Sequence, residues 1–117
     1  MSTSMPVGEP DVESLDVIDE AHLATFTDGD LALEDELGEL FLSTARGYLK
    51  RMKEAVEEER SWSAEAHALK GASGNLGARR VAALAQRAEF MPPSAVEILV
   101  IEQAIDEVKS FFSQREQ

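Results

Sequence analysis

Apolar residues recur at helical spacing along most of this chain and nowhere alternate as strand residues do, which confines it to helices packed on one another. From about Leu31 to Glu59, the residues Leu33, Leu37, Leu40, Phe41, Tyr48, Leu49, Met52 and Val56 form a stripe on the longest predicted helix. Gly47 is where that helix could bend or divide, and the acids Glu57 to Glu59 oppose the helix dipole and favour termination before Ser61. Ser61 or Ser63 can cap a second helix that runs to about Asn75, with Trp62, Ala66, Leu69, Ser73 and Leu76 on its apolar side. Asn75-Leu76-Gly77 suits a left-handed stop. A shorter helix, Ala78 to Phe90, buries Val81, Leu84, Ala85 and Ala88 before Met91-Pro92-Pro93 breaks the chain. Ser94 with Glu97 forms a capping box for the last helix, whose Ile98, Ile101, Ile105, Val108 and Phe112 follow a heptad-like stripe. Ahead of all this, a short helix from Val17 to Phe26 ends in the Thr27-Asp28-Gly29 turn, with Asp30 as N-cap of the next. The expectation is an all-α fold, an antiparallel up-down-up-down four-helix bundle with a short additional N-terminal helix. Residues 1–16 carry two prolines and no periodic apolar face and read as a flexible leader; residues 17–117 form the bundle domain.

Composition narrows what such a bundle can do. With 117 residues and 44% hydrophobic content the chain supports one core. Its 23 acidic residues against 11 basic ones, a formal net charge of −12, disfavour nucleic acid and anionic membrane surfaces alike. No apolar run approaches the ~20 residues of a membrane span, and the polar N-terminus lacks a signal-peptide core. There is no cysteine, and the two histidines belong to no cluster spaced for zinc or iron, so no metal site is expected. A cytoplasmic monomer is the expectation; the C-terminal stripe is needed inside the bundle before it can serve a coiled-coil dimer.

The stretch Ala66 to Gly77, AHALKGASGNLG, stands out. At ~100° per residue His67, Lys70, Gly71 and Gly74 share one helical face, and Leu69 lies roughly 160° away from the histidine, so the imidazole should point into solvent. A glycine inside a helix costs ~1 kcal/mol relative to alanine, and here two of them follow the histidine on its own side. Ser63 and Ala64, one turn earlier, are small as well. The imidazole would stand on a bare strip that another protein can approach closely. Lys70, three residues on, can reach a group carried by His67; a cation there favours the neutral, nucleophilic imidazole and attracts an attached phosphoryl dianion. The other histidine, His22, has neither lysine nor glycine after it at helical spacing and reads as a partly exposed structural residue. Trp62, on the apolar side, reads as core.

The run His67-Ala68-Leu69-Lys70-Gly71, followed by Asn75-Leu76-Gly77, resembles the His-x-Leu-Lys-Gly…Gly signature of histidine-containing phosphotransfer (HPt) domains of bacterial multistep phosphorelays. The likeness extends over roughly residues 17 to 115. It implies that His67 accepts a phosphoryl group from a receiver-domain aspartyl phosphate and passes it to another receiver aspartate. Lys70 would assist electrostatically, and Gly71, Gly74, Ser63 and Ala64 would give access. The resemblance further implies a carrier and not an enzyme, with Mg2+ and most catalytic groups supplied by the receiver. The implied partners are receiver domains of response regulators and of a hybrid histidine kinase. No kinase or receiver domain accompanies the bundle in this sequence, so a free-standing carrier is expected.

Arg79, Arg80 and Arg87 gather in and after the histidine helix. They have two uses: steering an acidic receiver pocket toward His67, or pairing with acidic helices of the same bundle. The dense acids of the long helix likewise fit either a docking surface or a solvated face. Two other functions fit the chain less well. One is an interaction module without phosphorylation; the other is a kinase or phosphatase, which lacks any Gly-rich nucleotide loop here.

Overall fold

The computed structural model describes residues 11–115. It contains five α-helices and, among the described residues, no strand: α1 Glu20–Thr27, α2 Leu31–Glu58, α3 Ser63–Leu76, α4 Arg79–Glu89 and α5 Ala95–Arg115. A short 3-10 turn, Val12–Ser14, precedes them. α2 packs on α3 and α5, and α4 packs on the same two, so the four long helices close into a ring; α1 lies on α2 and the 3-10 turn on α4. Leu49, Met52, Trp62, Leu69, Val81, Leu84, Ile101, Ile105 and Val108 fill the interior.

The helix ends follow local chemistry. Asp19 and Asp30 cap α1 and α2 by accepting the backbone N–H of His22 and Leu33 at 3.1 and 3.2 Å. Asp28 and Glu59 close the same helices in left-handed conformations, at φ 54° each. The stop after α3 is a Schellman motif: Gly77, at φ 90°, donates to Gly74 O, and Ala78 donates to Ser73 O. Gly77 is required twice over, since a Cβ there would also lie 3.1 Å from the Asp19 carbonyl and 3.2 Å from the His22 ring.

Several expectations need correction. The first helix starts at Glu20, not Val17, because Asp19 takes the cap; Ile18 is buried just ahead of it. Within the expected leader, Arg80 donates to the carbonyls of Leu15 and Glu13 at 2.7 and 2.9 Å, which places residues 13–15 against α4. The rest of the expected leader, residues 1–10, lies outside the described residues. Gly47 does not divide α2, which runs unbroken. At the start of α3 the cap position is Trp62; Ser61 Oγ accepts the N–H of Ser63, which is already the first helical residue. Only half of the Ser94–Glu97 capping box forms: the Glu97 N–H donates to Ser94 Oγ, while the Glu97 carboxylate turns to Arg87.

The apolar stripe of α2 is rotated from the expected one. Phe41, Leu49 and Met52 are buried, but Leu33 and Leu40 are exposed and Leu37, Tyr48 and Val56 half-buried. The face turned inward carries Glu34, Gly38, Ala45 and Ala55 instead. Small residues win these positions because they let neighbours approach: the Phe112 ring occupies the space a Gly38 side chain would take. The stripe of α5, Ile98, Ile101, Ile105, Val108 and Phe112, is buried throughout.

Candidate functional site

α3 carries the site on its outer face. Ala66, Leu69, Ser73 and Leu76 anchor it to the interior, which leaves His67 pointing outward with its side chain 70% exposed. Ser63, Ala64, Gly71 and Gly74 are all exposed around it, and Lys70 is half-buried. A Cβ built on Gly71 or Gly74 would meet nothing within 4 Å. Nothing inside the bundle therefore asks for glycine at either position, although each lowers helix stability by ~1 kcal/mol relative to alanine. Among the described residues the bare strip faces open space.

The imidazole is oriented by a residue that local sequence spacing did not reveal. Nδ1 of His67 lies 3.1 Å from Oε2 of Glu89, the last residue of α4, whose side chain is only 15% exposed. An ionised carboxylate only accepts, so Nδ1 carries the proton and donates it to Glu89. In the neutral ring Nε2 then carries the lone pair, directed away from Glu89, and Nε2 has no hydrogen bond among the described residues. Glu89 left one signal in the sequence: an acid in the last turn of a helix opposes the dipole, a local conflict of the kind that functional positions tolerate.

Lys70 forms no ion pair among the described residues, so its ammonium remains available one turn from the imidazole. The three arginines are engaged within the chain. Arg79 grips the Asp19 carboxylate, with Nε at 2.9 Å. This bond, together with the His22 N–H, holds the Asp19 carboxyl below the usual aspartate range. Arg80 pairs with Glu107 at 3.3 Å besides its two backbone bonds, and Arg87 forks onto Glu97 with its closest contact at 2.9 Å. Each guanidinium thus sits beside an acid of the same chain. His22 is structural in its contacts: Nε2–H donates to the Asn75 carbonyl at 3.1 Å, and the ring meets Phe26 edge-on.

Beside the bare strip runs an apolar groove between α1, α2 and α3, lined by Leu23, Phe26, Leu37, Leu40, Ala72 and Leu76. Phe26 is 60% exposed and Leu40 64%. Exposed apolar side chains that share a groove are a common mark of a partner surface. Among the described residues no helix is long and apolar enough to cross a membrane, and no group of three or more His, Asp or Glu side chains is arranged to hold a metal ion.

Comparisons with curated proteins and with solved structures returned no match. A family model, the Hpt domain, matches residues 36–111, a span that takes in α3, α4 and the whole His67–Glu89 pair. With well over half of its sequence matched, this chain belongs to the Hpt domain family of histidine phosphotransfer modules.

Proposed function

We propose that the chain is a phosphorelay carrier that takes a phosphoryl group onto Nε2 of His67 from the aspartyl phosphate of one receiver domain and gives it to the aspartate of another. The observation that carries this reading is the bond between Nδ1 of His67 and Glu89, which leaves Nε2 as the exposed nucleophile. In the forward step the Nε2 lone pair forms the N–P bond as the acyl phosphate P–O bond breaks, and the electron pair leaves with the receiver carboxylate. Nδ1 keeps its proton throughout. The ring becomes cationic as the N–P bond forms, and Glu89, already in place, offsets that charge without reorganising. Lys70 faces the incoming phosphoryl oxygens.

The receiver would seat its acidic phosphorylation pocket over the Gly71–Gly74 strip and its apolar rim in the groove at Phe26 and Leu40. The receiver's own Mg2+ would neutralise phosphoryl charge during transfer, so this chain is a substrate and carrier and not an enzyme. In this reading the helices run up-down-up-down, as the short connections between α2 and α3, α3 and α4, and α4 and α5 favour. The protein acts as a cytoplasmic monomer between a hybrid kinase's receiver and a response regulator's receiver.

The test is phosphoryl transfer from a panel of pre-phosphorylated receiver domains to the wild-type chain and to His67→Gln, followed by intact mass and acid lability. An acid-labile phosphoryl adduct absent from the variant supports the proposal. An adduct that persists in His67→Gln, or receiver binding unaltered by the substitution with no adduct on either protein, refutes it.

A further inference from the structure

α4 ends in an unusual way for a helix whose last residue does chemistry. α3 closes on a left-handed glycine, but the residue after α4, Phe90, stays at φ −108° and supplies no such cap. The final turn tightens instead, with the Phe90 N–H bonded to Arg87 O and the Met91 N–H to Ala88 O. Carbonyls at a helix end need donors, and an acid in that turn adds unfavourable charge to an already negative terminus. A further donor comes from the residue that caps α3. Nε1–H of Trp62 donates to Ala88 O at 2.7 Å and to Met91 O at 3.1 Å, the carbonyls on either side of Glu89 and Phe90 in sequence.

Trp62 is also tied to the other half of the pair. It occupies the cap position of α3, its carbonyl accepts the Ala66 N–H at 2.9 Å, and its side chain is 1% exposed. One rigid indole thereby joins the start of the helix that carries His67 to the end of the helix that carries Glu89. Phenylalanine would fill much of the same apolar space, yet only tryptophan offers an N–H from that body.

We infer that Trp62 is a positioning residue for the phosphoacceptor: its indole N–H fixes the last turn of α4 so that the Glu89 carboxylate holds His67 in the Nδ1–H form. The inference rests on the tautomer argument of the proposed function and adds the residue that enforces it. Glu89 alone is insufficient, because its backbone sits in a last turn closed only by two i→i−3 bonds with no left-handed cap, and the indole N–H is the side-chain donor that ties this turn to the start of α3.

The experiment reads the tautomer directly. Trp62 is the chain's sole tryptophan, so replacing tryptophan biosynthetically with its benzothienyl analogue, sulfur in place of N–H, changes this one group and preserves its shape. Trp62→Phe is the genetic counterpart. Long-range 1H–15N spectra of 15N-histidine-labelled wild type, both Trp62 forms and Glu89→Ala report which ring nitrogen of His67 carries the proton. His22, which meets the C-terminal end of α3 at Asn75, is the internal reference. The expected result is a shift of His67 toward the Nε2–H tautomer in both Trp62 forms, with His22 unchanged, and phosphoryl acceptance slowed on the order of tenfold; a full misplacement of about 1 Å can cost roughly a hundredfold. If Glu89→Ala shifts the tautomer while both Trp62 forms leave it alone, the role of Trp62 is overturned and the function of Glu89 stands. If Glu89→Ala shifts nothing, both fail together. A purely structural role would lower the melting temperature and leave the tautomer of the folded protein where it was.

Discussion

Glu34 and Arg115, 81 positions apart in the chain, meet at 2.8 Å where the first turn of α2 lies against the end of α5. The carboxylate is buried and also accepts from Thr27 Oγ1 at 2.7 Å, while Arg115 reaches on to Asp35 at 3.0 Å and lies over the rings of Phe111 and Phe112. Burial alone would raise the Glu34 carboxyl; the hydrogen bonds from Thr27 and Arg115 and the guanidinium charge outweigh it and hold the group below the usual glutamate range.

The sign of the resulting pH dependence is fixed by that lowering. Glu34 contributes its full stabilisation above the unfolded glutamate value of about 4.3 and loses it as the pH falls through the lower folded value. Urea unfolding followed from pH 7 to 2.5 should show an acid limb that is shallower in Glu34→Gln than in wild type. Identical limbs would mean that other carboxylates govern acid unfolding.

Removing one partner of this pair leaves a buried charge. Arg115→Ala should destabilise the fold by about 3 kcal/mol, the lower end of what breaking a buried pair costs, since Thr27 still donates to the carboxylate. Chemical denaturation at pH 7 decides it; a loss under about 1 kcal/mol would place the pair with ordinary surface bridges.

The glycines divide by what surrounds them. A Cβ on Gly38 would lie 2.7 Å from Phe112, so Gly38→Ala should cost about 1–3 kcal/mol despite its better helix propensity. Gly71→Ala, with open space around it, should raise stability by up to ~1 kcal/mol. Gly71→Leu should keep the fold and lose receiver docking. Thermal unfolding of the three variants, with transfer assays on the last, checks all of it; undiminished transfer by Gly71→Leu would refute the docking geometry.

What was readable in the sequence is what is local. The helices, the Gly77 stop, the buried stripe of α5 and the outward His67 with its bare strip all follow from spacing within one element. Glu89 was not readable, because its meeting with His67 depends on how α4 lies against α3. The α2 stripe was misassigned for a related reason: size favoured Leu33 and Leu40 over Gly38 and Ala45, yet close approach of α5 selects the small residues, and Glu34 is buried only because Arg115 comes to it. The arginines gathered after His67 in sequence turn out to have acidic partners at Asp19, Glu97 and Glu107, none of which is a near neighbour on the same helix.

Leu40 tests the apolar groove separately from the chemistry. Its side chain is exposed, so Leu40→Glu should change stability by less than about 0.5 kcal/mol. Against a receiver that buries the groove it should weaken binding by about tenfold or more, through loss of apolar contact and addition of negative charge near an acidic pocket. Calorimetric titration with an unphosphorylated cognate receiver gives the number; equal affinities would move the docking surface elsewhere on α3.

The last prediction separates the two polar groups around the imidazole by the stage at which each acts. In the proposed transfer Lys70 meets the phosphoryl oxygens, so Lys70→Ala should slow transfer in both directions and still yield full phosphorylation at long times. Glu89 meets the ring and, in the proposed transfer, would offset the cationic charge that the ring gains with the phosphoryl group, so Glu89→Ala should slow acceptance and also lower the final level, because the phosphorylated ring would lose its counter-charge. Rapid-quench transfer from a phosphorylated receiver gives both the rate and the end point for each variant. If Glu89→Ala matches wild type at equilibrium and differs only in rate, Glu89 orients the imidazole without stabilising the phosphorylated form. If Lys70→Ala lowers the end point, the ammonium holds the product as well as the transition state.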